Sequence, residues 1–255
     1  MPAPKNALKA ALLKGDTQCG VWMTLANGAV TEIAGNAGFA WCLIDGEHGP
    51  NTLSTIQMQL QILAGTAAHA VVRVPAGEDW LLKQVLDLGA QTIVVPMVNT
   101  AEQAAKIAAS VRYPGQGTRG MGAALARAAR YGAIVDYVGS ANDQICLFVQ
   151  IESAEAVENV DAIAAVAGVD GLFVGPADLS ADMGFVGQPD APEVVAAINH
   201  VYERTLAAGK IAGTVVFDPA DIPSQIERGV RFLGVGSDSL VLQVGLQNLA
   251  AHLPE

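Results

Sequence analysis

The sequence predicts an α/β protein built as a closed (β/α)8 TIM barrel, and three observations carry that reading. Short apolar runs alternate with longer segments rich in Ala, Leu, Gln and Glu. Several helical segments end in a glycine just before the next apolar run (Gly65, Gly89, Gly168, Gly209 and Gly229), as suits a helix C-cap turning back to a sheet. The 255 residues match the length of one large barrel, with no Pro-, Ser- or Gly-rich linker, so residues 1–255 read as one domain.

The predicted strands are residues 18–25, 39–45, 69–74, 91–98, 145–152, 169–174, 210–216 and 232–236. Each is nearly continuously apolar, as expected of parallel strands covered on both faces. Helical segments are predicted at 53–64, 80–88, 101–111, 154–166 and 194–208. Repeated βα units demand right-handed crossovers, and eight of them favour closure over an open doubly wound sheet. The irregular stretch 113–142, with Arg119, Arg127 and Arg130, reads either as surface loop and helix or as a lid or subunit contact.

Half of the residues are apolar (51%) and 15% are charged, a balance that buries a core and argues against disorder. The formal charge of −11, with no block of Lys or Arg, disfavours nucleic acid and anionic membranes as partners. An anionic substrate therefore has to be held locally, by a metal or a well-placed arginine. Cys19, Cys42 and Cys146 are widely spaced in apolar runs and read as buried, reduced thiols. The leading segment spaces its lysines through a short apolar helix without the core of a signal peptide, and a cytoplasmic location is expected.

In a barrel of this kind the chemistry sits at the C-terminal strand ends. Those positions hold Asp45-Gly46-Glu47-His48, Arg73, Gln150-Ile151-Glu152 and Gly175-Pro176-Ala177-Asp178. Glu152 and Asp178 are carboxylates on neighbouring strand ends. An all-oxygen donor pair points to a hard divalent cation, Mg2+ or Mn2+, with open positions for a 2-oxo acid. The plain alternative is that each acid caps the helix after it. Arg73 ends an apolar strand, where an unpaired cation is costly; it stands opposite an enolate or carboxylate oxygen, or else pairs with Asp45 or Glu47. His48 reads as a proton shuttle or a metal ligand, whereas His69, His200 and His252 read as structural or solvated. A Schiff-base mechanism needs a lysine at a strand end facing the substrate. Lys5, Lys9, Lys14, Lys83, Lys106 and Lys210 are all elsewhere, which favours metal-assisted enolisation.

The runs LIDGEHGP, VVRV, VVPMVNTAEQA, RYPGQGTRGMG, VQIE and VGPADLS together resemble the 4-hydroxy-2-oxoheptanedioate aldolase family, metal-dependent class II pyruvate aldolases. The likeness spans nearly the whole chain in order. It implies a divalent metal (Mg2+ or Mn2+ first, then Co2+ or Zn2+) on Glu152 and Asp178. It implies pyruvate held by Gln150 and the backbone amides of Ala177 and Asp178, Arg73 opposite the enolate, and His48 as acid/base. Asp87 is implied to tune that histidine from a neighbouring subunit of a hexamer whose last helix is swapped between partners. Trp22, Val216 and Phe217 are the implied aldehyde pocket, each with a plain reading as barrel core.

The expected activity is reversible cleavage of 4-hydroxy-2-oxo acids to pyruvate and an aldehyde. Two alternatives remain at this stage: an acyl-CoA or citrate-type lyase on a related barrel, and a protein that binds 2-oxo acids without turnover. The run GVGSDS (234–239) reads as a phosphate seat or, on the favoured view, as a turn capping the last helix.

Overall fold

The computed structural model describes residues 1–254. Eight parallel strands close on themselves in sequence order: β1 Gln18–Met23, β2 Trp41–Asp45, β3 His69–Arg73, β4 Thr92–Val95, β5 Cys146–Ile151, β6 Gly171–Val174, β7 Ile211–Val216 and β8 Phe232–Ser237. The helices are α1 Ala7–Leu13, α2 Gly28–Gly35, α3 Leu53–Leu63, α4 Asp79–Asp87, α5 Ala101–Ser110, α6 Tyr137–Ala141, α7 Ala154–Glu158, α8 Val160–Ala164, α9 Pro176–Asp182, α10 Pro192–Ala207, α11 Ile222–Glu227 and α12 Asp238–Ala250.

Most predicted boundaries hold to within a residue or two. β4 is the exception, ending at Val95 rather than at residue 98. Pro96 has no amide to continue the ladder, and Met97 turns the chain with φ at 55°. The predicted helix at 154–166 is two short helices broken at Asn159. Of the five expected cap glycines, Gly89, Gly168, Gly209 and Gly229 have positive φ, while Gly65 does not.

Side chains alternate strictly across the barrel wall. The outward set packs beneath the helices in one large apolar layer that includes Val21, Ile44, Val72, Ile93 and Val149. The inward set is aromatic: Trp22, Trp41, Phe148, Phe173 and Phe232, with Trp41 and Phe148 both stacked on Phe232 at 4.3 Å between ring centroids. Glycines make room for these rings. A Cβ on Gly20 would lie 1.9 Å from Trp41, and one on Gly171 would lie 2.3 Å from Phe148. Small and large residues therefore interlock within the barrel, filling its middle.

The N-terminal end of the barrel is plugged by α1, which inserts Leu8 and Leu12 into the inward cluster. Residues 113–142 also lie at that end, between α5 and β5, and form a small core of Tyr113, Ala129, Ile134 and Tyr137 with Ala3. Arg127 donates to the carbonyls of Leu60 and Leu88, closing the ends of α3 and α4. The segment therefore does not cover the opposite, open end of its own barrel. Beyond Asp238, α12 leaves the barrel surface, with Val241, Leu242, Val244, Leu246 and Leu249 exposed. No described helix is long and apolar enough to cross a membrane.

Candidate active site

A cavity of about 250 Å³ opens at the C-terminal ends of the strands. Trp22, Asp45, His48, Arg73, Gln150, Ala177 and Asp178 all line it. They arrive from the ends of β1, β2, β3, β5 and β6 or the loops just after them, because parallel strands deliver their termini to one rim.

Arg73 is the hub. Its Nε and Nη2 donate to the two oxygens of Asp45 at 2.9 and 2.7 Å, a two-point contact that fixes the guanidinium plane. Nη1 is 3.0 Å from Glu47 and donates to Gln150 Oε1 at 3.4 Å. The ion pair weighed from sequence is therefore present with both acids. The same guanidinium faces the cavity and lies 5.7 Å from the Trp22 ring centroid. Desolvation lowers its proton affinity, but the bonds and charge of Asp45, then Glu47 and Glu152, reverse that and hold Arg73 above its ordinary value.

Asp45 is 1% exposed and also organises the loop after β2. Its Oδ1 accepts from the amide of Glu47, and its carbonyl accepts from Asn51 Nδ2. Gly46 and Gly49 are required there by space: a Cβ would sit 2.7 Å from the Arg73 carbonyl and 2.6 Å from that of Asp45. The loop leaves His48 at the mouth, its side chain 64% exposed and 3.8 Å from Glu47.

Glu152 follows β5 and is 2% exposed. Its oxygens accept from the Met97 amide at 2.7 Å and from Gln150 Nε2 at 2.5 Å. The left-handed backbone at Met97 turns that amide inward, a conformation costing on the order of 1 kcal/mol for a residue with a side chain. Burial pushes the Glu152 carboxyl above the ordinary range against those two bonds, and the charges of Glu47 and Asp178 push it the same way. Glu47 is likewise raised, first by burial, with Asp45 and Asp178 adding to it against Arg73 and His48. The helix-capping alternative fails for Glu152, because Ser153 caps α7 instead.

Asp178 lies in the first turn of α9, behind Pro176. Gly175 precedes that helix with no side chain to cap it, and among the described residues nothing accepts from the amides of Ala177 and Asp178. A Cβ on Gly175 would lie 2.5 Å from Glu152 Oε2, so glycine lets β6 and the acid of β5 approach.

One placement differs from expectation. Val216 belongs to the outer apolar layer, and it is Val215 and Phe217 that face the cavity. The period-two alternation of a strand decides this, and the register cannot be read without knowing which residue of β7 points inward. Asp87 lies at the far end of α4, next to the start of β4, and pairs with Arg119 at 2.6 Å. Within one subunit it is at the opposite end of the barrel from His48. The run GVGSDS is an internal clamp. Ser237 caps α12, and the Asp238 carboxylate accepts from Thr24 and from the amides of Leu25 and Ser239.

Sequence reasoning undervalued Glu47, which entered only as a partner for Arg73, and Asp238, which entered only as a possible cap of the last helix, and it passed over Thr24, Phe173 and Val215. A third acid two residues beyond Asp45 in a glycine-bounded loop was the available signal for Glu47. The others carry no signal without the barrel register.

No group of three or more His, Cys, Asp or Glu side chains is clustered tightly enough to cage an ion among the described residues. The donor set still fits a hard cation that keeps open positions. Buried Glu152 and nearby Asp178 repel each other, and Arg73 is already engaged by Asp45 and Glu47.

Comparison with known proteins agrees with this geometry. The chain is 49% identical to a hydroxypyruvate/pyruvate aldolase of Agrobacterium fabrum over 99% of its length and 95% of the relative's. It is 47% identical to a 2-keto-3-deoxy-L-rhamnonate aldolase of Salmonella paratyphi A, covering 95% of this chain and 91% of that one. A crystal structure of a family protein from Burkholderia cenocepacia superposes with a TM-score of 0.93 at 38% identity, covering 97% and 99% of the two chains. With the profile of HpcH/HpaI aldolase/citrate lyase matching residues 18–243 as well, the chain belongs to that family.

Proposed function

We propose that this protein is a metal-dependent pyruvate aldolase that reversibly cleaves 4-hydroxy-2-oxo acids to pyruvate and an aldehyde. The observation that carries the reading is the excess of buried carboxylate at one barrel mouth, with a single guanidinium among it. Close relatives named as aldolases of pyruvate and of a 2-keto-3-deoxy acid support it.

Glu152 and Asp178 would hold the ion, and their hard oxygens suit Mg2+ or Mn2+. When bound, such an ion polarises the ketone of a 2-oxo acid and favours its enolate. The remaining work falls to the chain. Gln150 and the free amides of Ala177 and Asp178 orient the pyruvate carboxylate. Arg73, held rigid by Asp45, offers fixed positive charge to the oxygen that becomes negative as the enolate forms. Trp22 forms the wall beside it. His48 at the mouth moves the proton on and off the aldol hydroxyl.

Asp87 serves that histidine only from a second copy, since it lies at the other end of its own barrel. The exposed apolar faces of α12 support an assembly in which this helix is swapped onto a neighbour, and a hexamer is the assembly we propose. Nothing in the cavity lining favours the acyl-CoA reading, which needs cations for a nucleotide tail.

Proton NMR of pyruvate in D2O tests the reading before any aldehyde is chosen. The methyl signal should fade with Mg2+ or Mn2+ and persist with chelator. Pyruvate that binds but never exchanges, with any metal, makes the protein a 2-oxo-acid binder and removes the aldolase.

A further inference from the structure

We propose that Arg119 is a positioning residue for the active site of a neighbouring subunit, acting through the carboxylate of Asp87. This rests on the aldolase reading above, in which Asp87 meets the His48 of a second copy, and adds what holds Asp87 ready to do so.

Burying Arg119 as this fold does is unfavourable. Its side chain is 1% exposed, with Cζ 4.4 Å from the Tyr113 ring centroid. Nη2 donates to Asp87 Oδ1 at 2.6 Å, whereas Nε and Nη1 are buried and have no partner among the described residues. The backbone is shaped to deliver the side chain there. The amides of Thr118 and Arg119 donate to the carbonyls of Ala109 and Arg112, and a Cβ on Gly117 would lie 2.2 Å from the Ala109 carbonyl. A buried guanidinium with unmet donors weakens a fold, so stability alone does not account for this one.

Asp87, its partner, sits against the field of its own helix. It is the last residue of α4, where the carbonyl end disfavours a negative charge. Among the described residues Arg119 is the one cation paired with it. Held through Oδ1, the carboxylate keeps Oδ2 without a donor and its side chain 25% exposed. It borders an open hollow of about 310 Å³ with Gly122, Leu125 and Tyr131. Leu125 and Tyr131 are exposed, and a side chain on Gly122 would begin 3.6 Å from Oδ2 and crowd the approach to it.

His48 has the matching need. Its imidazole is exposed, lies 3.8 Å from Glu47, and takes part in no hydrogen bond of its own subunit among the described residues. A ring that shuttles protons works best when a third group orients it. The free carboxylate oxygen and the free imidazole lie at opposite ends of one barrel, so they can meet only between copies. Arg119 pins Oδ1, and Oδ2 is the oxygen left for the imidazole.

Mixed assemblies test this, because a defect exerted on a neighbour is cured by a different neighbour. His48→Asn subunits co-expressed with Arg119→Met subunits, isolated through two tags, should regain the addition of pyruvate to glycolaldehyde. In a random mixture about a quarter of the sites combine an intact histidine with an intact Arg119 from the adjoining copy. Asp87→Asn should complement His48→Asn in the same way. In homogeneous Arg119→Met, kcat should fall about tenfold to a hundredfold, with KM for pyruvate within about twofold of the parent. Adding Asp87→Asn to it should lower kcat little further. Should Arg119→Met not assemble, Arg119→Lys takes its place, keeping the charge without the planar fork.

Complementation by only one of the two variants overturns the proposal; where that one is Asp87→Asn, the shared site stands. Additive losses in the double variant overturn it as well. If neither variant complements His48→Asn, Asp87 serves no second copy and the role of Arg119 falls with it. A parent that exchanges no pyruvate methyl with any metal removes the aldolase reading and this proposal together.

Discussion

Two clusters of buried charge sit at opposite ends of the same barrel, and they are built on different principles. At the N-terminal end Lys9 from α1 reaches Asp170 at 3.1 Å, and Arg112 lies 3.7 Å from the same carboxylate. The cations there are completed by carbonyl oxygens: Lys9 donates to Ile145 and Arg112 to Ala108. Asp170 also accepts from the Leu147 amide. At the C-terminal end one arginine faces several acids, two of them held above their ordinary values by burial and mutual repulsion. A cluster in which each charged group meets an opposite charge or a carbonyl oxygen holds structure together. One that crowds several like charges around a single partner is built for something that arrives later.

The sharpest way to break that contrast is to neutralise the surplus. Glu152→Gln and Asp178→Asn should each lower kcat/KM by roughly 10³, the upper part of the range for losing a group that stabilises developing charge. Thermal stability of Glu152→Gln measured without metal should stay level or rise, since a buried carboxylate pressed by like charges has been neutralised. A protein that kept full, chelator-resistant activity in both variants would show that these acids hold no metal. Asp170→Asn at the other end should do the reverse. Stranding Lys9 and Arg112 should cost about 3 kcal/mol in urea denaturation, the low end for breaking a buried pair. Activity per folded molecule should be unchanged.

Gly175→Ala sharpens the comparison at smaller scale. The backbone there has φ at −95°, so alanine brings no conformational strain, but its Cβ would press on Glu152 Oε2 from 2.5 Å. Displacing the ligand proposed for the ion by a few tenths of an ångström should weaken metal affinity by about tenfold to a hundredfold, as disturbed supporting contacts do. Isothermal titration with Mn2+ measures this. Affinity left within twofold of the parent means that β6 does not position Glu152.

The barrel and most of its rim were legible because parallel strands announce themselves as apolar runs and because charged residues at their ends stand out. Arg73, Gln150, Glu152 and Asp178 meet where strand order alone predicts. Side-chain facing was less legible: Val216 and Val215 are both valines in one apolar run, and only the closed register separates them. The role of residues 113–142 was hidden too. Their contacts, such as Arg127 on the carbonyls of Leu60 and Leu88, join parts of the chain far apart in sequence. Asp87 is beyond single-chain geometry, since its proposed partner belongs to another copy.

The smallest expected effect is a pH dependence that belongs to the N-terminal end alone. His69 opens β3 beside the α1 plug, and burial lowers its affinity for a proton below the ordinary value of 6.5. Between its folded and unfolded values the unfolded chain binds more protons, so acidification favours unfolding. The stability tied to neutral His69 is complete above about pH 6.5 and is lost as pH falls through the lower, folded value. Glu47 and Glu152 work in the opposite sense, because acids with raised values gain protons more readily when folded. Urea midpoints for the parent and His69→Gln between pH 7.5 and pH 5 separate the two. The parent should lose more stability than the variant over that interval, with activity at pH 7.5 alike in both. Parallel curves would mean that the histidine is solvated enough to titrate as in the unfolded chain. In that case the N-terminal end owes its balance to Asp170 and its two cations without help from a neutral imidazole.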